Sequence, residues 1–234
     1  MKAAEFPMRI NKYLALKGYA TRRGADELVA AGRVSVNGKR AVLGTKVAES
    51  DKVEVRGKLR AKPYRYFAYY KPRGVITHSP QRGEHEIATV SGIPGVFPVG
   101  RLDKDSDGLI ILTDDGRIVD RLLSPKYDHD KEYAVSVVHN VNPSFKNKME
   151  KGVDIEGDRT KPCHVTLIGE RSFRITLTEG KKHQIRRMCA ALGNDVVNLK
   201  RVRILNVRLG EMRSGTHRRI EGPELTKFLK DLGL

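Results

Sequence analysis

Gly100-Arg101-Leu102-Asp103-Lys104-Asp105-Ser106-Asp107-Gly108-Leu109-Ile110-Ile111-Leu112-Thr113-Asp114-Asp115-Gly116 is the stretch on which the fold turns. A polar, acidic run is followed by four consecutive aliphatic residues and then by another acidic turn. Such a short apolar run between turn signals reads as a strand buried on both faces. Carboxylates are therefore held at a strand entrance. A calcium loop is one alternative, because Asp103, Asp105, Asp107, Gly108 and Asp114 fall at positions 1, 3, 5, 6 and 12 of an EF-hand. That motif needs a helix on each side, and Gly92-Ile93-Pro94-Gly95 with Pro98 breaks any helix before the segment. A polar turn whose Asp and Ser side chains satisfy backbone donors is a second alternative, and it suits Asp105, Ser106 and Asp107.

Outward from this stretch the chain alternates strand signals with turns. Tyr64–Tyr70, Leu109–Thr113, Glu132–Val138, His164–Ile168 and Phe173–Thr178 read as strands. Helical patterns are fewer. Ile118–Leu123 is one; Ile185, Met188, Cys189 and Leu192 form a stripe ending at Gly193; a last helix opens at Pro223 and carries Leu225, Phe228, Leu229 and Leu232. Many strands with separate helices predict an α+β domain on a mostly antiparallel sheet with flanking helices.

The first quarter of the chain is a different unit. Residues 1–62 hold 15 Lys and Arg against 6 Asp and Glu, so +9 of the total +17 lies there. Ile10, Tyr13 and Leu14 have helical spacing, as do Ala25, Leu28 and Val29, and Gly18 and Gly32 stand where left-handed helix ends belong. Val34-Ser35-Val36, the turn pair Asn37-Gly38 and Val53–Val55 then predict a small β element. The basic stretch Arg56–Pro63 reads as a linker, dividing the chain into domains at 1–62 and 63–234. Arg9, Lys12, Arg22, Arg23, Arg33 and Lys39 are the candidate phosphate contacts.

A charge of +17 and a pI near 10.0 favour a polyanionic partner, nucleic acid above all. The longest apolar runs are too short to span a bilayer, and no apolar signal region opens the chain, so a cytoplasmic location is expected. Cys163 and Cys189 lack metal or disulfide spacing and are expected to be reduced thiols; no metal site is expected.

Residues 8–56 resemble the αL RNA-binding domain, through Arg9-Ile10-Asn11-Lys12-Tyr13-Leu14 and Gly32-Arg33-Val34-Ser35-Val36-Asn37-Gly38. Gly100–Thr113 is similar to the GRLDxxSxGLxxLT signature of bacterial ribosomal RNA pseudouridine synthases of the RsuA/RluF type. Tyr70-Lys71-Pro72-Arg73-Gly74, Lys131-Glu132-Tyr133 and Gly180-Lys181-Lys182-His183-Gln184-Ile185-Arg186-Arg187-Met188 resemble that family's further motifs, in the same order. The resemblance implies a pseudouridine synthase domain in which Asp103 is the covalent catalyst. It gives Arg186 as the basic partner of that aspartate and Tyr133 as the residue that packs on the target base. It further implies that Leu199 closes the base pocket and that Arg101 enters the RNA as the base leaves. No cofactor is implied. The partner is ribosomal RNA, nearest the large-subunit branch by Lys104-Asp105-Ser106 and Asp128–Tyr133, with small-subunit RNA or tRNA as alternatives and a monomer expected. A non-catalytic RNA-binding assembly factor fits the first 62 residues equally well, but has no need of Asp103, Tyr133 and Arg186.

Overall fold

The computed structural model describes residues 6–56, 63–79, 81 and 83–234, with the backbone alone at Arg23. Residues 57–62 of the expected linker lie outside the described residues. The chain divides into two compact units: Met1–Tyr64 with Asp114–Arg117, and Arg65–Thr113 with Ile118–Leu234.

In the first unit, β1 (Met8–Arg9) leads into α1 (Ile10–Leu16), followed by α2 (Arg22–Ala30), β2 (Val34–Val36), β3 (Lys39–Arg40), β4 (Lys46–Val47) and β5 (Val53–Val55). The Thr21 hydroxyl caps α2 by accepting from the Gly24 amide at 3.1 Å, which satisfies one of the free donors of a helix start. Asn37 and Gly38, with φ of 50° and 76°, make the tight turn joining β2 to β3, and β5 pairs with the other edge of β2. Ile10, Leu14, Ala25, Val29, Val34 and Val47 bury one small core. The periodic positions in the sequence are the ones that pack.

The second unit begins with β6 (Tyr66–Lys71), α3 (Ile87–Val90), β7 (Phe97–Val99), β8 (Asp107–Thr113) and α4 (Ile118–Leu123). It continues with β9 (Lys131–Val137), α5 (Pro143–Glu150), β10 (Asp154–Ile155), β11 (Asp158–Arg159), β12 (His164–Gly169) and β13 (Ser172–Leu177). It ends with α6 (Gln184–Ala191), β14 (Val196–Ile204), β15 (Val207–Arg208), β16 (His217–Arg219) and α7 (Gly222–Asp231). One sheet runs in the order β12-β13-β9-β14-β8-β6-β16, with β15 added to β14 and β7 to β8. All its pairings are antiparallel except β14 with β8. The expected α+β class and mostly antiparallel sheet are what the chain adopts.

That parallel pairing joins two halves of the sheet, through Lys200↔Asp107 and Arg201↔Gly108 alone. On the same edge, the other end of β8 is taken by β7, from Phe97↔Thr113 to Val99↔Ile111. Leu109–Leu112 are fully buried, as an aliphatic run covered on both faces must be. Phe67, Tyr69, Ile110 and Leu112 pack against Ile87 and Ile93 on one half. On the other, Val135, Phe173, Ile175 and Leu199 pack against Phe145 and Met149 of α5 and Ile185 and Met188 of α6.

At the joint, Tyr70 and Lys200 converge on Asp107. The Tyr70 hydroxyl donates to its carboxylate at 2.6 Å, and the Lys200 ammonium stands 3.8 Å away. Asp107 is thus a structural clasp between β6, β8 and β14, at the first residue of a strand and with side-chain partners, where a turn former serving backbone donors was expected. The strands β7 and β8 flank the acidic run where an EF-hand requires helices, which disposes of a calcium loop.

Candidate active site

Asp103 lies in the loop that leads from β7 into β8. Five consecutive carbonyls of this loop each accept a hydrogen bond. Arg101 O accepts from Arg201 Nη1 at 3.3 Å, and Leu102 O from the Thr77 hydroxyl at 2.8 Å. Asp103 O accepts from the Ser106 amide at 3.1 Å, Lys104 O from the Gly74 amide at 2.8 Å, and Asp105 O from Arg186 Nη2 at 3.1 Å. The donors come from β14, from the segment after β6, from α6 and from the loop itself. A loop held through its backbone leaves the Asp103 side chain, 41% exposed, free to meet a substrate in a fixed place.

The side chain set against Asp103 is His183, whose Nε2 lies 3.7 Å from Oδ1. His183 precedes α6 in a left-handed conformation, φ 51°, which is uncommon for a residue other than glycine. Here the sequence reading needs correction. Arg186 does reach the Asp103 loop, but its guanidinium donates to the carbonyls of Val196 and Asp105 and not to the Asp103 carboxylate. Residue type told that a cation was present; it could not tell which acceptor the helix would point it at.

Across the middle of the sheet, Lys71, Gly108, Arg201 and Tyr133 are successive cross-strand partners on β6, β8, β14 and β9. Directly opposed residues share a face, so this row belongs to one side of the sheet. Tyr133 is half-buried against the core that carries α5 and α6. Leu199 lies in that core, 5% exposed opposite Val135, and forms its wall from within. Arg101 is exposed at the start of the loop. Arg201, two residues after Leu199, was not expected as a site residue. It is 4% exposed, and its Nε donates to Leu109 O at 2.7 Å while Nη1 holds Arg101 O. One buried guanidinium therefore ties down the chain on both sides of Asp103.

Lys71 is fully buried below the loop, and its ammonium donates to Pro72 O at 2.9 Å and Val75 O at 2.7 Å, closing the Lys-Pro turn. Burial pulls its pKa from 10.5 down to about 8, with Arg201 pushing the same way and Asp107, Asp103 and Asp105 opposing. Between those two values the unfolded chain binds more protons than the folded one. Stability measured against Lys71→Met should therefore rise with pH from 8 to 10.5, by up to about 3 kcal/mol, with the full penalty present below 8. Urea unfolding of both proteins across that range checks it; a difference independent of pH contradicts it.

In the first unit, Arg9, Lys12 and Arg22 line one open groove with Phe6, Met8 and Asn11. Arg33 is engaged elsewhere, its Nε donating to Arg56 O at 3.0 Å, and Lys39 is exposed on β3. The Arg23 side chain lies outside the described residues. Cys163 and Cys189 are free, and burial pushes each thiol up to about 12, so both stay protonated. Among the described residues no helix is long and apolar enough to cross a membrane.

Comparison with known proteins agrees with this layout. The model of the RNA pseudouridylate synthase family matches residues 65–191, and that of the S4 domain matches residues 8–53. The chain is 40% identical over 228 residues to the dual-specificity RNA pseudouridine synthase RluF of Salmonella typhi, covering 95% of this chain and 78% of the relative. It is 36% identical to the ribosomal large subunit pseudouridine synthase B of Bacillus subtilis, over 94% of this chain and 95% of that one. A crystal structure of a pseudouridylate synthase superposes with a TM-score of 0.69 at 29% identity, covering 96% of this chain and 99% of the other.

Proposed function

Because this chain belongs to the RNA pseudouridylate synthase family and carries an S4 domain ahead of its synthase domain, we propose that it isomerises uridine in large-subunit ribosomal RNA, with Asp103 as the covalent catalyst. In this reading residues 1–62 grip the RNA and residues 63–234 carry the reaction. The observation that carries it is the Asp103 loop, whose backbone is fixed at five successive carbonyls while its carboxylate stays accessible.

The reaction breaks the bond between N1 of uracil and C1′ of ribose and makes one between C5 and C1′; C5 gives up its proton and N1 takes one up. Nothing is oxidised or reduced, so the chemistry calls for a nucleophile and a proton acceptor and for no redox partner. The Asp103 carboxylate forms a transient bond to the substrate and is released when the new glycosidic bond closes. His183, 3.7 Å from Oδ1, is placed to pair with the carboxylate as RNA excludes water from the two. Tyr133 offers a ring for the uracil and a phenol near the departing C5 proton. A base in folded RNA must first leave its stack, and Arg101, two residues before Asp103, fills the gap it leaves. Arg9, Lys12 and Arg22 follow the phosphate backbone from their groove. The enzyme acts as a cytoplasmic monomer without a metal or cofactor. The name of the large-subunit enzyme above supports the target.

Loss of the C5 hydrogen supplies the assay. The protein incubated with unmodified RNA carrying tritium at C5 of uridine should release tritium to water from large-subunit RNA, and not from small-subunit RNA or tRNA. Release from tRNA or small-subunit RNA alone would move the target, and release from none would reject the reading.

A further inference from the structure

We propose that Thr77, through its hydroxyl, is a positioning residue for the reaction; this rests on Asp103 being the catalyst. Its Oγ accepts from the Leu102 amide at 3.1 Å and donates to the Leu102 carbonyl at 2.8 Å. One hydroxyl thus satisfies both backbone groups of the residue immediately before Asp103. The grip is dry: Thr77 is 3% exposed and Leu102 7%.

Thr77 is itself anchored. Ile76 donates to His85 O at 2.9 Å and accepts from the Ile87 amide at 3.0 Å, and Ile87 opens α3 with its side chain 1% exposed. Three residues earlier, the Gly74 amide holds Lys104 O. The segment 74–77 therefore grips the chain one residue before and one residue after Asp103, and nowhere touches the carboxylate itself.

Removal of the hydroxyl would leave a buried N–H and a buried C=O unpaired, and the loop would shift to reach other partners. A displacement near 1 Å at a reacting group costs on the order of 10²-fold in rate. The loss should fall on kcat, because the groups that bind the rest of the RNA lie elsewhere. Nothing in the sequence motifs marks Thr77. Its role follows from one hydroxyl making two bonds to a single residue.

The test uses the full chain on unmodified large-subunit RNA labelled at C5, with amide hydrogen exchange measured in parallel. Thr77→Val should lower kcat on the order of 10²-fold, leave KM within about threefold and speed exchange at the Leu102 and Ser106 amides while β8 stays protected. Thr77→Ser should recover most of the rate. Thr160→Val is the control, since it removes another buried hydroxyl, the one that accepts from the Val153 amide at 2.9 Å, and should leave kcat unchanged. Full kcat in Thr77→Val, or an equal loss in Thr160→Val, would overturn the proposal. If Thr77→Val does not fold, Thr77→Ser decides alone, and a large loss of kcat there is the overturning result. A wild-type protein that releases no tritium would refute the proposed function; exchange at Ser106 would still show whether Thr77 holds the loop.

Discussion

Asp103→Asn should leave the protein folded and RNA-bound while lowering pseudouridine formation by roughly 10⁴-fold or more, the scale of loss when a covalent catalyst is removed. The substitution keeps shape and volume and removes only the carboxylate. Loop 101–106 is held through backbone carbonyls, so its conformation does not depend on this side chain. The carboxylate is 41% exposed, and its contact with His183 is a long one, so the change in stability should stay within about 0.5 kcal/mol. Tritium release, RNA affinity and thermal melting measured side by side separate the effects. Substantial residual turnover would show that another group forms the covalent bond.

The largest effect on folding should come from Gly108→Ala. Gly108 has φ 113°, and a Cβ there would stand 2.3 Å from Arg201 O and 2.6 Å from Arg201 N. Both are backbone atoms of the partner strand and cannot swing aside. β8 and β14 pair through only two residue pairs, so relief of the clash opens the joint between the sheet halves. Arg201 would then lose its hold on Leu109 O and Arg101 O. A cost above about 4 kcal/mol is expected, a large part of the stability of a domain this size. Urea unfolding and soluble yield measure it, with Gly116→Ala, where an added Cβ meets nothing within 4 Å, as the control. An ordinary urea midpoint for Gly108→Ala would mean that the joint is looser than its geometry.

The same joint explains what could and could not be read from the chain. β8 announces itself, because four aliphatic residues in a row have no other home. The helices α6 and α7 show in their stripes, and β9, β12 and β13 in their composition, each within one or two residues of its observed bounds. β14, the central strand beside β8, went unread. Lys200, Arg201 and Arg203 look like solvated surface, and they belong in the sheet only through their partners. Arg201 donates to two carbonyls, and Arg203 pairs with Glu132 at 2.8 Å from the neighbouring strand β9. α5 was also passed over, although Asn142 caps it by accepting from the Phe145 amide and Phe145 and Met149 form its buried stripe; eight residues gave too short a pattern. Resemblance to a family signature, and not spacing, pointed the reading to Asp103. It could not find Thr77 or assign the carbonyl partners of Arg186, since those depend on which backbone atoms come within reach.

The central claim, that Asp103 converts uridine to pseudouridine in ribosomal RNA, is tested most directly by mapping pseudouridines in the RNA of cells that lack this protein. Large-subunit ribosomal RNA should lose pseudouridine at one site or a few, restored by the wild-type chain and not by an equally abundant Asp103→Asn chain. Restoration by Asp103→Asn, or an unchanged map on loss of the protein, would contradict the account.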